Sequence, residues 1–117
     1  MHACFFIVCI LQALTHPIDA NGNRVMMTSW YGHGRHTADG RRFDREDPHI
    51  CAHRKLPFGT ELRVTNPRNG RSIVCKVRDR GPFIRGRQLD VSYGAAVRLG
   101  IVGTGVARLR VAILSRP

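Results

Sequence analysis

Asp79 is the carboxylate in this sequence whose position best suits acid–base chemistry. It ends a strand-like run that begins at Ser72 and is stopped by Gly81-Pro82. Strand alternation predicts that Asp79 shares a face with the apolar residues of the run, which are Ile73, Cys75 and Val77. A carboxylate there would be partly desolvated, which favours its protonated form, and a general acid must be protonated near pH 7. The alternative is that Asp79 only accepts hydrogen bonds from the turn backbone.

The charge balance favours an anionic partner. The chain has 19 Lys+Arg against 8 Asp+Glu, a formal net charge of +11, and all of its cationic residues except Lys55 and Lys76 are arginines. Such a field suits nucleic acid, an acidic lipid surface or an acidic polymer. The arginines are scattered through turns and alternate strand positions, as on a solvated barrel surface. The charge therefore narrows the class of partner without naming it.

The cysteine spacing and the lack of cofactor motifs limit which metal, cofactor and disulfide sites the sequence predicts. No Cys-x-x-Cys spacing and no phosphate-binding loop occur, so the sequence predicts neither a metal site nor a cofactor. Cys4 and Cys9 lie in an apolar leader. Cys51 and Cys75 are flanked by strand-like residues, and they could form a disulfide in an oxidising compartment or remain two buried thiols.

Residues 1–20 have the character of a secretory signal peptide. The apolar run at residues 3–14 is too short to cross a bilayer as a helix but suits the central region of a signal, and Ala20 offers a cleavage point. No Lys or Arg precedes this run, and the alternative is a strand or short helix of the folded domain. Cys9 follows Val8 rather than a small residue, and Cys4 lies almost at the terminus, so a lipid anchor is not predicted.

The remaining chain predicts a mainly all-β domain with one short helix. At 117 residues with 43% hydrophobic content, it is long enough for one modest core. Residues 21–28 form a linker and the start of the first strand. The predicted strands cover 26–31, 49–53, 60–65, 72–79, 88–91 and 106–113. Ser92 is expected to cap a helix over residues 93–99 that Gly100 ends. Short strands in this number favour a small closed β-barrel, which has no exposed edges.

A long polar segment, residues 32–48, separates the first two predicted strands. It is rich in Gly, His, Arg and Asp and has neither a helical nor a strand period. We interpret it as an extended loop over one end of the fold. A loop of this length in a compact domain is usually functional or mobile.

Several motifs, taken in order, resemble the rare lipoprotein A family. They are Trp30-Tyr31-Gly32, Thr37-Ala38-Asp39-Gly40 with Phe43-Asp44, the segment 52–60, Val64-Thr65-Asn66 with Asn69-Gly70, the segment 79–83, and Leu89-Asp90-Val91-Ser92. The match covers residues 29–114, and the shared order of the motifs makes it specific. It implies a six-stranded double-psi β-barrel with one short helix.

The resemblance also implies a function. Members of this family are exported to the periplasm or cell envelope and act on peptidoglycan as endolytic lytic transglycosylases. They cleave the bond after N-acetylmuramic acid and leave a 1,6-anhydro end. The partner that the resemblance implies is the glycan strand, and we expect the protein to be a monomer.

The resemblance assigns site residues as well. Asp79 matches the catalytic acid, His53 matches its partner, and Asp90 matches a position where related barrel hydrolases hold an acid. The alternatives are a hydrogen-bonded turn histidine for His53 and support of the helix N-terminus for Asp90. Residues that could contact sugar are Trp30, Tyr31, Arg80 and Phe83, although an aromatic pair such as Trp30-Tyr31 is more often core.

Two positions depart from the family pattern. Arg41 stands where active members carry Glu, and Arg78 stands where the family usually carries Asn. These departures favour a non-catalytic, expansin-like wall-binding module, whereas the matched His53 and Asp79 favour an enzyme. Binding of nucleic acid is a third hypothesis, but the sequence offers neither a recognition helix nor an aromatic-studded strand motif, so it is not favoured.

Overall fold

The structure, a computed structural model, describes Ile18 and residues 22–117. Apart from Ile18, the predicted signal peptide therefore lies outside the described residues, as do Cys4 and Cys9.

The described residues form six strands and one helix. These are β1 (Arg24–Tyr31), β2 (Ile50–His53), β3 (Glu61–Thr65), β4 (Ser72–Asp79), β5 (Leu89–Ser92), α1 (Tyr93–Leu99) and β6 (Ala107–Ser115). The bounds of β4 and α1 are those predicted from the sequence. The other strands differ from prediction by one or two residues at their ends.

The six strands close into one barrel. Their order around the ring is β1-β5-β2-β4-β3-β6, and β6 pairs with β1 to close it. The pairs β1·β5 and β2·β4 are parallel, and the other four pairs are antiparallel. The predicted six-stranded double-psi barrel with one short helix is thereby confirmed. In this ring β2 and β6 lie opposite each other.

Alternate strand residues fill the barrel, as the period-2 pattern predicts. The fully buried core includes Met26, Leu62, Val77, Val91 and Leu109, and the inner face of α1 packs against it. Each such side chain contributes roughly 1.5–3 kcal/mol on burial. Cys51 and Cys75, the pair for which a disulfide or two thiols were both open, form a disulfide inside this core with their Cα atoms 5.8 Å apart.

Local hydrogen bonds fix both ends of α1. The Ser92 Oγ accepts a hydrogen bond from the Ala95 N–H at 3.2 Å, and Gly100 ends the helix at φ 72°, where a residue with a Cβ would be strained. The side-chain amides of Asn66 and Asn69 donate to the Leu99 carbonyl at 2.8 and 3.0 Å. The β3–β4 turn therefore caps the C-terminus of the helix.

The long polar loop is docked on the barrel wall. The Gly94 N–H donates to the Arg45 carbonyl at 2.8 Å, and the Ser92 hydroxyl donates to the Asp47 carbonyl at 2.5 Å. A Cβ at position 94 would lie 2.1 Å from the Glu46 carbonyl oxygen, so only glycine permits this approach. Further along, an imidazole nitrogen of His49 hydrogen-bonds the Val74 carbonyl at 2.8 Å. These contacts hold the loop across the face that carries Asp79.

Candidate active site

A bulge in β4 turns Asp79 to the outer face of the barrel. Cys51 pairs with Val77 and the next residue of β2, Ala52, pairs with Asp79, so β4 contains one extra residue at Arg78. The prediction that Asp79 shares the apolar face of Ile73, Cys75 and Val77 is therefore wrong, because it assumed unbroken alternation. Asp79 faces the docked loop and is half-buried.

The outward turn brings Asp79 into a row with other polar side chains. In register, Ser29 of β1 pairs with Asp90 of β5, Asp90 pairs with Ala52 of β2, and Ala52 pairs with Asp79. Residues paired in this way project from the same face of a sheet. Ala52 therefore separates Asp79 from Asp90 in this row, and the Cα atoms of the two aspartates are about 10 Å apart by strand spacing.

Backbone N–H groups hold one oxygen of Asp79. Its Oδ1 accepts from the Ala38 N–H and from its own neighbour, the Arg80 N–H, both at 2.9 Å. Beside it, the Asp39 N–H donates to the Arg78 carbonyl at 3.0 Å. The turn interaction considered as an alternative for Asp79 is present, and the loop adds a second bond that the sequence did not indicate.

Tyr31 places a phenol under the loop, next to the carboxylates. Its ring stacks on Phe43 at 4.9 Å between centroids with an interplanar angle of 8°, and its hydroxyl is buried. Burial, followed by the charges of Asp79, Asp90 and Asp39, raises the pKa of Tyr31 well above its usual range. A direct interaction of the hydroxyl with the Asp79 carboxylate raises this pKa further, although its geometry lies outside that of an ordinary hydrogen bond. The Tyr31 phenol is therefore a neutral hydrogen-bond donor within electrostatic range of the carboxylates of Asp79, Asp90 and Asp39.

Asp90 is the carboxylate whose protonated form burial favours. Burial raises the pKa of Asp90, and the charge of Asp79 adds to the effect. The Ser29 hydroxyl, which donates to its Oδ1 at 2.5 Å, and the charge of Arg87 act in the opposite direction. Burial has the largest influence, so Asp90 remains a candidate for holding a proton.

His53 lies at the end of β2, one residue beyond Ala52, and pairs with Leu89 of β5. The imidazole is buried, and its Nδ1 accepts from the backbone N–H groups of Lys55 and Leu56, both at 3.1 Å. A nitrogen that accepts two hydrogen bonds carries no proton, so the proton of the neutral ring is on Nε2. His53 thus fulfils the turn role considered as an alternative, with its ring proton on Nε2.

Two arginines hold the loops around this site. The Arg80 Nη1 donates to the carbonyls of His53 and Leu56 at 3.0 and 2.7 Å, and its guanidinium lies 3.9 Å from the centre of the Phe58 ring. Arg54, which the sequence did not single out, donates to three carbonyls of the β4–β5 loop. Its Nε reaches Pro82 at 2.6 Å, and its Nη2 reaches Ile84 at 3.2 Å and Arg87 at 2.7 Å.

Of the remaining candidates for sugar contact, Phe83 is exposed and Trp30 packs against the core. Phe83 is 78% exposed on the loop that Arg54 holds, where a sugar ring could reach it. Trp30 packs against the core, edge to face with Tyr93 at 5.3 Å, and its Nε1 donates to the Val102 carbonyl at 3.4 Å. The structure therefore favours the core alternative for Trp30.

Of the two departures from the family pattern, Arg78 precedes Asp79 in β4, and Arg41 lies in the loop whose Ala38 N–H binds Asp79. Arg41 is exposed, and its Nε lies 3.8 Å from an oxygen of Asp39. The other oxygen of Asp39 accepts from the Thr37 hydroxyl at 2.5 Å and from the Arg41 N–H at 3.1 Å. Arg78 is half-buried at the bulge.

Neither a metal site nor a membrane-spanning helix occurs in the part of the chain that the structure describes. Those residues contain no group of three or more His, Cys, Asp and Glu side chains that could hold a metal ion. Within residues 22–117, no helix is long and apolar enough to cross a membrane.

Sequence comparison finds similarity to proteins that act on the cell wall. A family model described as lytic transglycolase matches residues 23–111. A probable endolytic peptidoglycan transglycosylase RlpA from Nostoc sp. is 54% identical over 95 residues, which are 77% of this chain and 25% of the relative. The protein of the same name from Aquifex aeolicus is 52% identical over 89 residues, 74% of this chain and 39% of the relative. This chain therefore spans well under half the length of these curated relatives.

Comparison with solved structures finds two proteins whose fold resembles that of this chain. The Streptomyces papain inhibitor superposes with a TM-score of 0.66 at 20% identity, covering 85% of this chain and all of the inhibitor. Cerato-platanin 3 from M. perniciosa gives a TM-score of 0.61 at 13% identity, covering 78% of this chain and 94% of that protein. At these identities the two structures share the barrel fold alone.

Proposed function

Because this chain belongs to the lytic transglycolase family, we propose that it is an endolytic peptidoglycan transglycosylase, a lyase that acts on glycan strands. It cleaves the bond between N-acetylmuramic acid and N-acetylglucosamine and leaves a 1,6-anhydro end. The observation that supports this proposal most strongly is the site itself. Asp79 and Asp90 lie in one row of the barrel wall, and the Tyr31 phenol is within electrostatic range of both.

Lytic cleavage needs one proton shuttle and no attacking water. In the first step, protonated Asp79 gives its proton to the bridging oxygen as the bond from C1 of N-acetylmuramic acid to that oxygen breaks. In the second step, the ionised carboxylate takes the proton of the C6 hydroxyl, whose oxygen forms the new bond to C1. The proton count balances and Asp79 is regenerated, so the two carboxylates of a hydrolytic glycosidase are not required.

The hydrogen bonds at Asp79 indicate which oxygen does this work. Since Oδ1 accepts both backbone N–H groups, we assign the transferred proton to Oδ2. His53 contributes an Nε2–H donor that orients the acid or the sugar, and Asp90 is the second candidate for the acid. Phe83 offers a flat exposed surface for a sugar ring, and Arg80 supports the site through the turn that carries His53.

The proposed activity also sets a location. Peptidoglycan lies outside the inner membrane, so the protein must be exported to the periplasm or the cell envelope. The apolar run at residues 3–14, interpreted as part of a signal peptide, agrees with that. A barrel whose six strands pair in a closed ring needs no second copy to cover a sheet edge, which favours a monomer.

A non-catalytic wall-binding module is the second candidate, and Arg41 and Arg78 are the observations that favour it. Both put a guanidinium group in the part of the chain that holds Asp79, at positions where the family pattern has Glu and Asn. Such a module would bind glycan strands without cleaving them.

Digestion of purified, peptide-free glycan strands separates the two candidates. Mass spectrometry of the products should detect anhydro ends with the wild type and lose them by roughly 10²–10⁴-fold with Asp79→Asn. Asn is a matched change, because its carbonyl oxygen can still accept from Ala38 and Arg80. If the wild type binds the strands but yields no anhydro ends, the protein is a binding module and the enzyme proposal is wrong.

A further inference from the structure

Two arginines tie together the loops beside the candidate active site. β2 and β4 run parallel, so the turn that follows His53 and the loop that follows Asp79 leave the barrel at the same end. Arg54, the residue after His53, donates to carbonyls of the loop after Asp79. Arg80, the residue after Asp79, donates to carbonyls of the turn after His53. We call these reciprocal contacts the arginine clasp, defined by Arg54 and Arg80.

Arg54 holds the β4–β5 loop, residues 80–88, at three points. Its Nε donates to the Pro82 carbonyl at 2.6 Å, and its Nη2 donates to the carbonyls of Ile84 at 3.2 Å and Arg87 at 2.7 Å. The guanidinium presents its N–H groups in a rigid planar fork, so it fixes the distances among the carbonyls that it binds. Within the loop, the Arg87 N–H also donates to the Ile84 carbonyl at 3.1 Å.

Phe83 lies between these fixed points and is the side chain that the loop displays. Gly81 and Pro82 are buried, whereas the Phe83 side chain is largely exposed. A Cβ added at Gly81 would lie 3.6 Å from the nearest carbon of the Phe83 ring, so one edge of the ring lies against the loop backbone. An aromatic ring that is supported at one edge and otherwise open suits stacking against the apolar face of a sugar.

We propose that Arg54 is a positioning residue for glycan binding, which fixes the β4–β5 loop so that Phe83 forms a rigid platform for a sugar ring. This inference rests on the proposed function, because it takes the glycan strand as the ligand. A platform already in its binding position loses little conformational freedom on binding. A mobile platform binds more weakly in proportion to the time that it spends in other positions.

The candidate acid is held independently of Arg54. The Oδ1 of Asp79 accepts from the backbone N–H groups of Ala38 and Arg80, which lie outside the stretch 82–87 that Arg54 contacts. Loss of the Arg54 side chain should therefore weaken binding of the strand and leave the proton transfer largely intact. A role in global stability alone would instead reduce the folded fraction without changing the affinity of the protein that is folded.

The alternative is that Arg54 attracts the strand by its charge, since each N-acetylmuramic acid carries a carboxylate. Arg54→Lys separates the two roles, because it keeps the charge but replaces the fork with a single ammonium group. If Arg54 positions the loop, the Lys variant should behave like Arg54→Gln. If charge is what matters, it should behave like the parent protein. The matched control is Lys55→Gln, which removes one charge from the next exposed residue of the same turn.

Binding of purified, peptide-free glycan strands tests the proposal. All proteins carry Asp79→Asn, so that the strands are not cleaved during the measurement. Arg54→Gln and Arg54→Lys should each raise the dissociation constant about five- to tenfold, and Lys55→Gln should stay within about twofold of the parent protein. Phe83→Ala should weaken binding by about tenfold. Adding Arg54→Gln to Phe83→Ala should cost no more than about twofold further, because Arg54 acts through Phe83.

Two further measurements separate positioning from stability. With Asp79 intact, Arg54→Gln should raise KM by about the same factor as the dissociation constant and change kcat by less than about threefold. Hydrogen exchange followed by NMR should be faster at the Arg87 N–H in Arg54→Gln than in the parent protein, and unchanged in Lys55→Gln. Circular dichroism checks that each variant is folded, and Arg54→Lys carries the comparison if Arg54→Gln is not.

Several results would overturn the proposal. These are parent-like affinity of either Arg54 variant, additive losses in the double variant with Phe83→Ala, or unchanged exchange at the Arg87 N–H. Failure of the enzyme proposal gives a different result, in which the protein binds the strands and shows the Arg54 effect but the wild type releases no anhydro ends. If the parent protein does not bind the strands at all, both proposals are wrong.

Discussion

Asp79 and Asp90 project from the same row of the barrel wall, separated by the one strand that contributes Ala52. They come from opposite ends of an irregular loop, and only the closed ring and the bulge in β4 bring them to one face. Their surroundings differ, since Asp79 accepts two backbone N–H groups and Asp90 accepts a serine hydroxyl. Two carboxylates in different environments on one surface are a common arrangement for acid–base chemistry.

Replacing Tyr31 with Phe should separate activity from stability. The buried hydroxyl interacts with the Asp79 carboxylate only outside ordinary hydrogen-bond geometry, so its removal should change the melting temperature little. If the phenol assists Asp79, release of anhydro ends should fall by about tenfold or more. Both are measured on one preparation, by thermal melting and product mass analysis. An unchanged yield of anhydro ends would mean that Tyr31 serves packing alone.

Asp90→Asn should stabilise the protein in a pH-dependent way. Burial raises the pKa of Asp90, so the folded state penalises its charged form. Below the ordinary aspartate pKa of about 3.9 the group is protonated in folded and unfolded chains, and the penalty is absent. As the pH rises through the pKa that Asp90 has in the folded state, the wild type becomes less stable because it must bury a charged carboxylate. The Asn variant carries no charge there and keeps its stability. At pH 7 the variant should melt roughly a few degrees above the wild type, whereas at pH 3 the two proteins should melt at the same temperature. A gain of equal size at both pH values would contradict this account.

The sequence predicted the framework of this site better than its details. Short apolar runs bounded by turn residues located the strands, with alternation in three of them, and the capping signals at Ser92 and Gly100 located the helix, because those patterns are local. The bulge at Arg78 reversed the predicted face of Asp79, since a single inserted residue leaves no period to detect. Arg54 was missed for a related reason: its three carbonyl partners lie 28 to 33 residues away and are backbone atoms with no sequence signature.

The order of the family motifs, rather than any one residue, carried the prediction of function. The resemblance to rare lipoprotein A is confirmed by relatives of that name. The roles of Asp79, His53 and Asp90 stay predictions. The geometry of the docked loop could not be anticipated from composition, because its anchors are backbone groups such as the Arg45 and Asp47 carbonyls.

The two roles of His53 can be tested separately. His53→Asn keeps an acceptor near the position of Nδ1, where the Lys55 and Leu56 N–H groups donate, but removes the Nε2–H. We expect it to fold like the wild type and to lose about tenfold or more in activity. His53→Ala should lose activity and also about 1–3 kcal/mol of stability, because it leaves buried donors unpaired. Full activity in a stable Asn variant would restrict His53 to holding the turn.

Gly94→Ala tests whether loop docking is required for the site. The added methyl would lie 2.1 Å from the Glu46 carbonyl oxygen, a backbone atom that cannot move without displacing the loop. We expect a loss of roughly 2 kcal/mol or more and faster proteolysis within residues 32–49. The control is Gly103→Ala, where no atom lies within 4 Å of the added methyl. Equal stability of the two variants would show that the loop does not depend on this contact.

Replacing Arg41 tests whether this departure from the family pattern prevents catalysis. The Arg41 side chain lies beside Asp39, in the loop whose Ala38 N–H binds Asp79, so it places a positive charge in the loop that covers the proposed acid. The exposed ion pair with Asp39 contributes only about 0–1 kcal/mol, so replacing Arg41 should barely affect folding. Arg41→Gln removes the cation alone and should raise the yield of anhydro ends by about two- to threefold. Arg41→Glu adds the carboxylate that the family resemblance implies for this position and should raise the yield by about tenfold. If neither variant exceeds the wild type, then Arg41 does not limit turnover, and the wall-binding alternative can no longer rest on this residue.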